Sequence, residues 1–535
     1  MVAVAAQEIA GVCNNRSFAT PPRHGLSLNK RSGGRRQLSN FRIDLRENPR
    51  TKTSSNANAT VLDGVTTDEP HPKSTTGQYT GKKAVVIGAG PAGTVAAVFL
   101  AKRGFDVKIF EKRSHPSSVP SNVHRSIPLT LNPKASAIVR SIGATIPKQG
   151  FKDGMHRAAG SVFISDKGIQ EGGSRLKEEC IFGERHSIAS NIIKAAEGQN
   201  LPNLGFFYDM PCEGVDIEQN VVKVGGQLEE YDLLVGADGT NSVVRKGLEK
   251  NRTDFEAVQY AVRSRYKSFR DIPAPAKAKG PFFESVKPGT LAFVNLKKTQ
   301  FRGPQAIVIY TNDSGMFQGS FLGTTDSLDA IEGRELQWLT EAVPSVFPKE
   351  WLEPIANQLK TASESVIGPV TCCSSLVGPK IALLGDACHS VTPTFGIGAN
   401  LAIRDTLALD EAMDFGDGDV DSALKNYNKE WHPQVDSIMT LEKMGPILSF
   451  QGDSTPWQKL GGMFFAFHVK FHGIGNKFLP WLIPQSVYRR IFSSELNGVQ
   501  ALRTFRREGV MVVAFIITAI YKTIAALARI AMGAV

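Results

Sequence analysis

The stretch KKAVVIGAGPAGTVAAVFLAKRGFDVKIFEKR, residues 82 to 113, constrains the fold of this chain more than any other. Ala84 to Ile87 form a continuous apolar run, the pattern of a strand buried on both faces. Gly88-x-Gly90-x-x-Gly93 follows, then an Ala/Val-rich helix, then a second strand, Asp106 to Phe110, ending in Glu111. The three glycines serve in turn a tight bend, close approach of a pyrophosphate to the backbone, and close packing of helix on strand. Glu111 stands 23 residues after Gly88, where a carboxylate accepts hydrogen bonds from an adenosine ribose. A lone GxGxxG is weak evidence. Here strand, helix, second strand and acid occur together, and the segment reads as a dinucleotide-binding unit. NAD and FAD share this fingerprint, so the rest of the chain must discriminate between them.

Two further strand-to-turn sites do so. In YDLLVGADGTNSVVR, residues 231 to 245, an apolar strand runs into Ala237-Asp238-Gly239, and a helix starts at Ser242. In LLGDACHSVTPTFGIGAN, Leu383 to Asn400, a buried strand breaks into polar residues, Pro393, Gly396 and Gly398 before a helix that begins near Ile397. Backbone N–H groups left unpaired at a helix start can hold an anion or an electron-rich ring edge. Three dispersed elements closing on one dinucleotide imply a long ligand gripped at several points, which an NAD-only dehydrogenase does not need.

With these motifs in this order, the chain resembles the single-component FAD-dependent aromatic hydroxylases, the group A flavoprotein monooxygenases, from about Lys82 to about residue 440. The family pattern GD-x-x-H-x-x-x-P-x-x-G-x-G-x-N-x-x-x-x-D is met at Gly385, Asp386, His389, Pro393, Gly396, Gly398, Asn400 and Asp405. The resemblance implies that Asp386 binds the FAD ribityl hydroxyls and that Asp238, with Gly239, helps place the cofactor. It implies that the Gly396 to Asn400 backbone faces the flavin ring, and that Arg185, in GERHSIASNIIKAAE, opens a helix near the cofactor. His389 is read as a structural hydrogen bonder, since no metal ligands surround it at suitable spacing. HRSIPLTLNPKASAIVRSIG, residues 124 to 143, is similar to a segment of the kynurenine 3-monooxygenases within the family. On that likeness Arg125 is the candidate clamp for a substrate carboxylate; the competing reading is an arginine salt-bridged within the fold or touching the flavin. Two departures matter. The family's acid after the flavin glycines falls on Arg404, and a substrate-facing tyrosine is missing around Ile438 to Lys443. A pocket built to hydrogen-bond one substrate rejects others sharply, so the departures argue for a substrate other than kynurenine, with Arg404 at the site.

The implied fold class is α/β: a Rossmann-type FAD-binding domain, an inserted mixed-sheet substrate domain and a helical, hydrophobic C-terminus. The expected boundaries are 1–80 for a transit peptide and linker, 81–250 for the first FAD part and 251–375 for the substrate domain. The second FAD part then covers 376–440, and a membrane-associated helical region 441–535. Strand-like LAFVNL (291–296) and QAIVIY (305–310) and helical signals around Glu335 to Leu359 support the insertion. The implied reaction has NADPH or NADH reduce FAD, after which a flavin hydroperoxide delivers one oxygen atom from O2 to an aromatic or isoprenoid small molecule. No side-chain nucleophile is required. The alternatives are a flavin-dependent reductase or desaturase of a lipophilic substrate, and a membrane-tethered flavoprotein without turnover.

Composition decides where the protein works. The net charge of +11 looks like a nucleic-acid signal until it is localised. Residues 1 to 60 hold ten Lys/Arg against three acids, +7 of that total, which leaves +4 for the remaining chain and makes nucleic acid a poor partner. The same stretch is Arg- and Ser-rich, poor in acids and without a sustained apolar run, which fits an organelle transit peptide better than a secretory signal. Its first arginine comes only at position 16, favouring a plastid over a mitochondrion; a merely disordered tail is the alternative. Six cysteines show neither metal spacing nor a disulfide framework. At the other end, the apolar run Gly509 to Tyr521 is 13 residues long, short of the roughly 20 needed to span a bilayer. Lys522 and Arg529 then mark one helical face that suits attachment to a membrane surface, a core helix or dimer seam being the alternative.

Overall fold

The computed structural model describes residues 77–118, 128–147, 151–172, 180–275, 279–445 and 455–531, with short breaks at 153–154, 302, 305, 312–314, 394–395, 479–480, 482 and 494. The expected transit peptide and Arg125 lie outside the described residues. Order starts slightly before the expected boundary. Tyr79, expected in the linker, is wholly buried, stacks on Phe105 at 4.6 Å and donates to the Met413 carbonyl at 2.8 Å.

Lys83–Ile87 (β1), Pro91–Lys102 (α1) and Asp106–Phe110 (β2) form the anticipated unit, with β1 and β2 parallel and in register from Lys83–Asp106 to Ile87–Phe110. Pro91 opens α1, where its missing N–H is no loss. Ala92 to Ala101 are all buried, so the helix has no solvent face and is held by packing rather than by amphipathicity. Helix Arg185–Glu197 (α2) leads into Leu204–Phe207 (β3), and Leu233–Gly236 (β4) leads into Val243–Asn251 (α3). Val377–Gly378 (β5) and Ile381–Leu383 (β6) complete a six-stranded sheet of order β5-β6-β4-β1-β2-β3, parallel except at β5. Gly398–Gly416 (α4) and Val420–Lys443 (α5) pack beside it. Arg103, wholly buried, joins the end of α1 to α4 through Asp410 at 2.5 Å and Asp414 at 2.7 Å.

The second sheet has seven strands, in the order 365–366, 264–272, 317–324, 306–311, 290–295, 160–165 and 168–172. Strand Gly160–Ser165 runs parallel to Thr290–Asn295, so the sheet is mixed. The last two strands come from the stretch expected in the first FAD part, so the inserted domain is not confined to 251–375. Backbone pairing between segments 130 residues apart leaves no mark in local periodicity. Alternation sorts the two faces of this sheet. Ala292, Val294, Ile307 and Ile309 pack under Trp338 and Trp351, whereas Leu291, Val308 and Tyr310 face Ile397, Leu401 and the C-terminal helices. Those helices, Pro456–Phe478 (α6) and Gly498–Ala531 (α7), close that side through Phe465, Ala501, Leu502 and Phe505.

Candidate active site

The three glycine- and aspartate-bearing turns follow β1, β4 and β6, which are adjacent parallel strands. Sheet order alone therefore gathers them at one carboxyl edge, the position where open α/β sheets bind ligands. At the first turn, a Cβ on Gly93 would stand 1.9 Å from the Gly88 carbonyl oxygen, so glycine is required for α1 to lie this close to β1. A Cβ on Gly90 would meet nothing within 4 Å, and α1 has no side-chain cap. Its first N–H groups face an open cradle of the kind that takes a pyrophosphate. Glu111 accepts from the Ala89 N–H and the Arg113 N–H, both at 3.0 Å, which holds its carboxylate beside the same turn.

At the second turn, Asp238 Oδ2 accepts from the Val243 N–H at 2.6 Å and the Val244 N–H at 3.4 Å, at the start of α3. Its Oδ1 is buried and has no hydrogen-bond partner among the described residues. Burial pushes this carboxyl above its ordinary range, against the pull of those hydrogen bonds. A hydroxyl donor from a long cofactor meets that need. Gly239 follows in the left-handed region at φ +80°.

The third turn is fixed from behind by Asp405, wholly buried on α4. It accepts from the Gly385 N–H, His389 Nε2 and Trp431 Nε1, each at 2.6 Å. Burial alone would lower the His389 pKa; the carboxylate outweighs it and raises it. His389 thus serves as a structural link, and Asp386 is left half-buried at the sheet edge. Pro393 and Gly396 are exposed, Gly398 is half-buried as the first residue of α4, and α4 carries no side-chain cap. The Asn400 side chain donates to the Thr130 carbonyl at 2.8 Å and to the Gly396 carbonyl at 3.0 Å, and accepts from the Asn132 N–H at 2.7 Å. It therefore braces α4 against strand 129–131, leaving the backbone before it to face a ligand. Arg185 is exposed as the first residue of α2.

The Arg404 guanidinium lies over the Trp431 ring of α5, 5.1 Å from the centroid, in the seam between α4 and α5. Trp431 also donates to Asp405, so both residues meet α5 at this ring.

Two residues escaped the sequence reading. Arg245, 1% exposed, donates from Nη1 to the Ala387 carbonyl at 2.7 Å and from Nη2 to the Thr240 carbonyl at 2.8 Å. It ties the Asp238 turn to the Asp386 turn. Glu442, 1% exposed at the end of α5, accepts from the Thr392 N–H at 2.9 Å and from the Thr392 hydroxyl, steadying the loop before Pro393. Burial raises its pKa to about 7. The only signal for Glu442 was a lone acid in the apolar stretch SIMTLEKM.

Known proteins agree with this geometry. Residues 86–138 match the NAD(P)-binding Rossmann-like domain family and residues 372–441 the FAD binding domain family. Kynurenine 3-monooxygenase of Chaetomium globosum is 26% identical over 371 residues, covering 62% of this chain and 74% of the relative. Violacein synthase of Chromobacterium violaceum is 26% identical over 388 residues, covering 68% and 84%. In fold, the chain is similar to 2-methyl-3-hydroxypyridine-5-carboxylic acid oxygenase, with a TM-score of 0.53, 19% identity, and 68% and 90% coverage. It is likewise similar to Pseudomonas aeruginosa PqsL in complex with 2-aminobenzoylacetate, with a TM-score of 0.51, 19% identity, and 72% and 99% coverage. In both matched segments and along most of its length the chain is similar to FAD-binding monooxygenases. It is an FAD-dependent oxidoreductase with NAD(P)H as reductant, and its Gly90 cradle and the orphan oxygen of Asp238 fit the cofactor.

Proposed function

We propose that this protein inserts one oxygen atom from O2 into an aromatic or isoprenoid small molecule other than kynurenine, with NADPH or NADH supplying electrons. FAD, when bound, supplies the redox chemistry that activates dioxygen. The chain's own residues hold and shield it. Gly88, Gly90 and Gly93 leave room for the pyrophosphate, Glu111 takes the adenosine ribose, and Asp238 and Asp386 take hydroxyls along the cofactor. The start of α4 at Gly396–Gly398 directs N–H groups at the ring edge and offsets negative charge there. Arg185 contributes from the start of α2, and Arg125 is the candidate anchor for a substrate carboxylate.

One observation carries the substrate class. Between the flavin loop and the inserted sheet, Ile397 and Leu401 share one buried cluster with Phe182, Leu291, Val308 and Tyr310, and Phe293 and Leu322 pack partly buried against it. Glu184, Arg270 and Gln318 nearby are committed to one another at 3.0–3.4 Å. A mostly apolar wall of this kind excludes water and favours a flat or lipophilic substrate over an amino acid. The test compares NADPH oxidation and product formation, with and without oxygen, against a panel of aromatic and isoprenoid compounds. Oxygen-dependent product supports the proposal; product formed without oxygen assigns a reductase or desaturase instead.

The proposal extends to place. No described helix is long and apolar enough to cross a membrane. Exposed Val510, Tyr521 and Ile524 on α7, with Met463, Phe467 and Phe478 on α6, suit a helix pair lying on a membrane surface. The Arg-rich, acid-poor first 60 residues support delivery to a plastid, with the mitochondrion as the alternative destination.

A further inference from the structure

Helix α6 carries His468 and His472, four residues apart and therefore on one face, and α7 brings Glu508 against them. Their ligand atoms all lie within 4.8 Å of one another. His468 Nε2 stands 3.4 Å and His472 Nε2 3.3 Å from the same oxygen, Glu508 Oε2. His468 is wholly buried, with its ring edge-on to Phe505 at 4.9 Å, and neither of its nitrogens makes a hydrogen bond among the described residues. His472 is 4% exposed, and its Nδ1 lies 2.9 Å from the Pro484 carbonyl oxygen.

That last contact fixes the chemistry. A carbonyl only accepts, so Nδ1 carries the proton, and in the neutral ring Nε2 presents a lone pair. This lone pair points at a carboxylate oxygen, which also only accepts. Two acceptors at 3.3 Å repel unless a proton or a metal ion lies between them. Beside them, the buried His468 ring brings a second imidazole nitrogen to within 3.4 Å of the same carboxylate oxygen. We infer that His468, His472 and Glu508 form a binding site for a divalent transition-metal ion of the zinc class, which clamps α7 to α6. Bonds of about 2.0–2.1 Å in tetrahedral geometry separate ligand atoms by roughly 3.3 Å, the spacing found between the imidazole nitrogens and Glu508. The Pro484 carbonyl supplies the outer hydrogen bond that orients a metal-ligating histidine. Two imidazoles and one carboxylate make a three-ligand set, with a fourth position for water.

The location suggests what the clamp does. Gly509, the next residue, is the close approach of α7 to Phe464 of α6, and Val510 beyond it is 70% exposed. The site therefore lies where α7 leaves the body of the protein. None of its three residues belongs to the turns at the sheet edge, and it does not depend on the reading of the substrate.

The test uses the full-length, FAD-loaded protein after chelator treatment, titrated with Co2+ and then with Zn2+. The expected result is a visible absorption band of tetrahedral cobalt saturating at one ion per chain, bleached by Zn2+. His472→Gln and Glu508→Gln should each weaken Co2+ binding by about 10- to 100-fold, leaving the flavin spectrum unchanged. Zn2+ should raise the thermal midpoint of the unmodified protein and not that of the variants. Absence of a saturable band in the unmodified protein overturns the inference, whatever the variants do. Equal binding by folded variants also overturns it, and leaves a single proton shared between His472 and Glu508.

Discussion

At the residue scale, the site depends on carboxylates whose surroundings give them different roles. Asp386 sits half-buried at the sheet edge, so Asp386→Ala should weaken FAD binding by about 1–3 kcal/mol without unfolding the chain. Flavin fluorescence titration reads this directly, and full retention of FAD at nanomolar protein would contradict the assignment. Glu442 is different, since it holds Thr392. Its folded pKa of about 7 lies above the ordinary 4.5, so between these values the folded state holds the extra proton. Stability from this group is therefore present at low pH and is lost as pH rises through that window, a change of about 3 kcal/mol. Glu442→Gln keeps an acceptor for Thr392 but has nothing to titrate. Its stability relative to the parent should rise between pH 4.5 and 7 and then level off, as urea unfolding at several pH values will measure. Parallel curves for the two proteins would show that Glu442 is ionised throughout. Arg404 allows a sharper test of substrate. Because its guanidinium stacks on Trp431, Arg404→Glu loses that contact and places an acid beside Asp405 and Glu411. It should lower stability and leave kynurenine turnover negligible, since the substrate-facing tyrosine is still missing. A variant that couples NADPH oxidation to kynurenine hydroxylation would place Arg404 at the substrate site.

At the element scale, what was legible in the sequence was local. The run from Lys82 to Arg113 carries its own strand, turn and helix signals, and each element forms where its periodicity and glycines indicate. The turns after Val235 and Leu383 were equally plain, because an apolar strand that ends abruptly in Asp and Gly must turn there. Strand Gly160–Ser165 was assignable to no sheet, since its partner Thr290–Asn295 is fixed by packing and not by neighbouring residues. The buried ties between elements were hidden for the same reason. Nothing near Arg103 indicates that Asp410 and Asp414, on a helix some 300 positions later, will neutralise it. Removing it should be costly. Arg103→Ala leaves Asp410 buried without its partner, and a loss of about 3–5 kcal/mol is expected. Adding Asp410→Asn should recover part of that loss, because the stranded charge is then gone. Thermal or urea unfolding of the three proteins decides it; equal stability of the single variant and the parent would mean that water reaches Asp410.

At the scale of the whole molecule, the cofactor edge and the C-terminal helices are separable in sequence but share a core. Every residue assigned to FAD lies before residue 401, whereas Ala501, Leu502 and Phe505 of α7 are buried against Phe465 and Ile438. The first turns of α7 thus complete the wall that faces the inserted sheet, and beyond Gly509 the side chains of Val510, Tyr521 and Ile524 are exposed. Deleting residues 509–535 should therefore leave FAD binding and the thermal midpoint nearly intact while reducing recovery in the membrane fraction. Deleting residues 498–535 should cost both stability and flavin, because it strips the wall as well. The pair of truncations separates attachment from folding, read by flavin content and by sedimentation with vesicles containing anionic lipid. Retention of the shorter deletion on vesicles would move the anchor to α6, where Met463, Phe467 and Phe478 are also exposed. Loss of flavin with residues 509–535 alone would instead mean that the projecting helix folds back onto the body in solution.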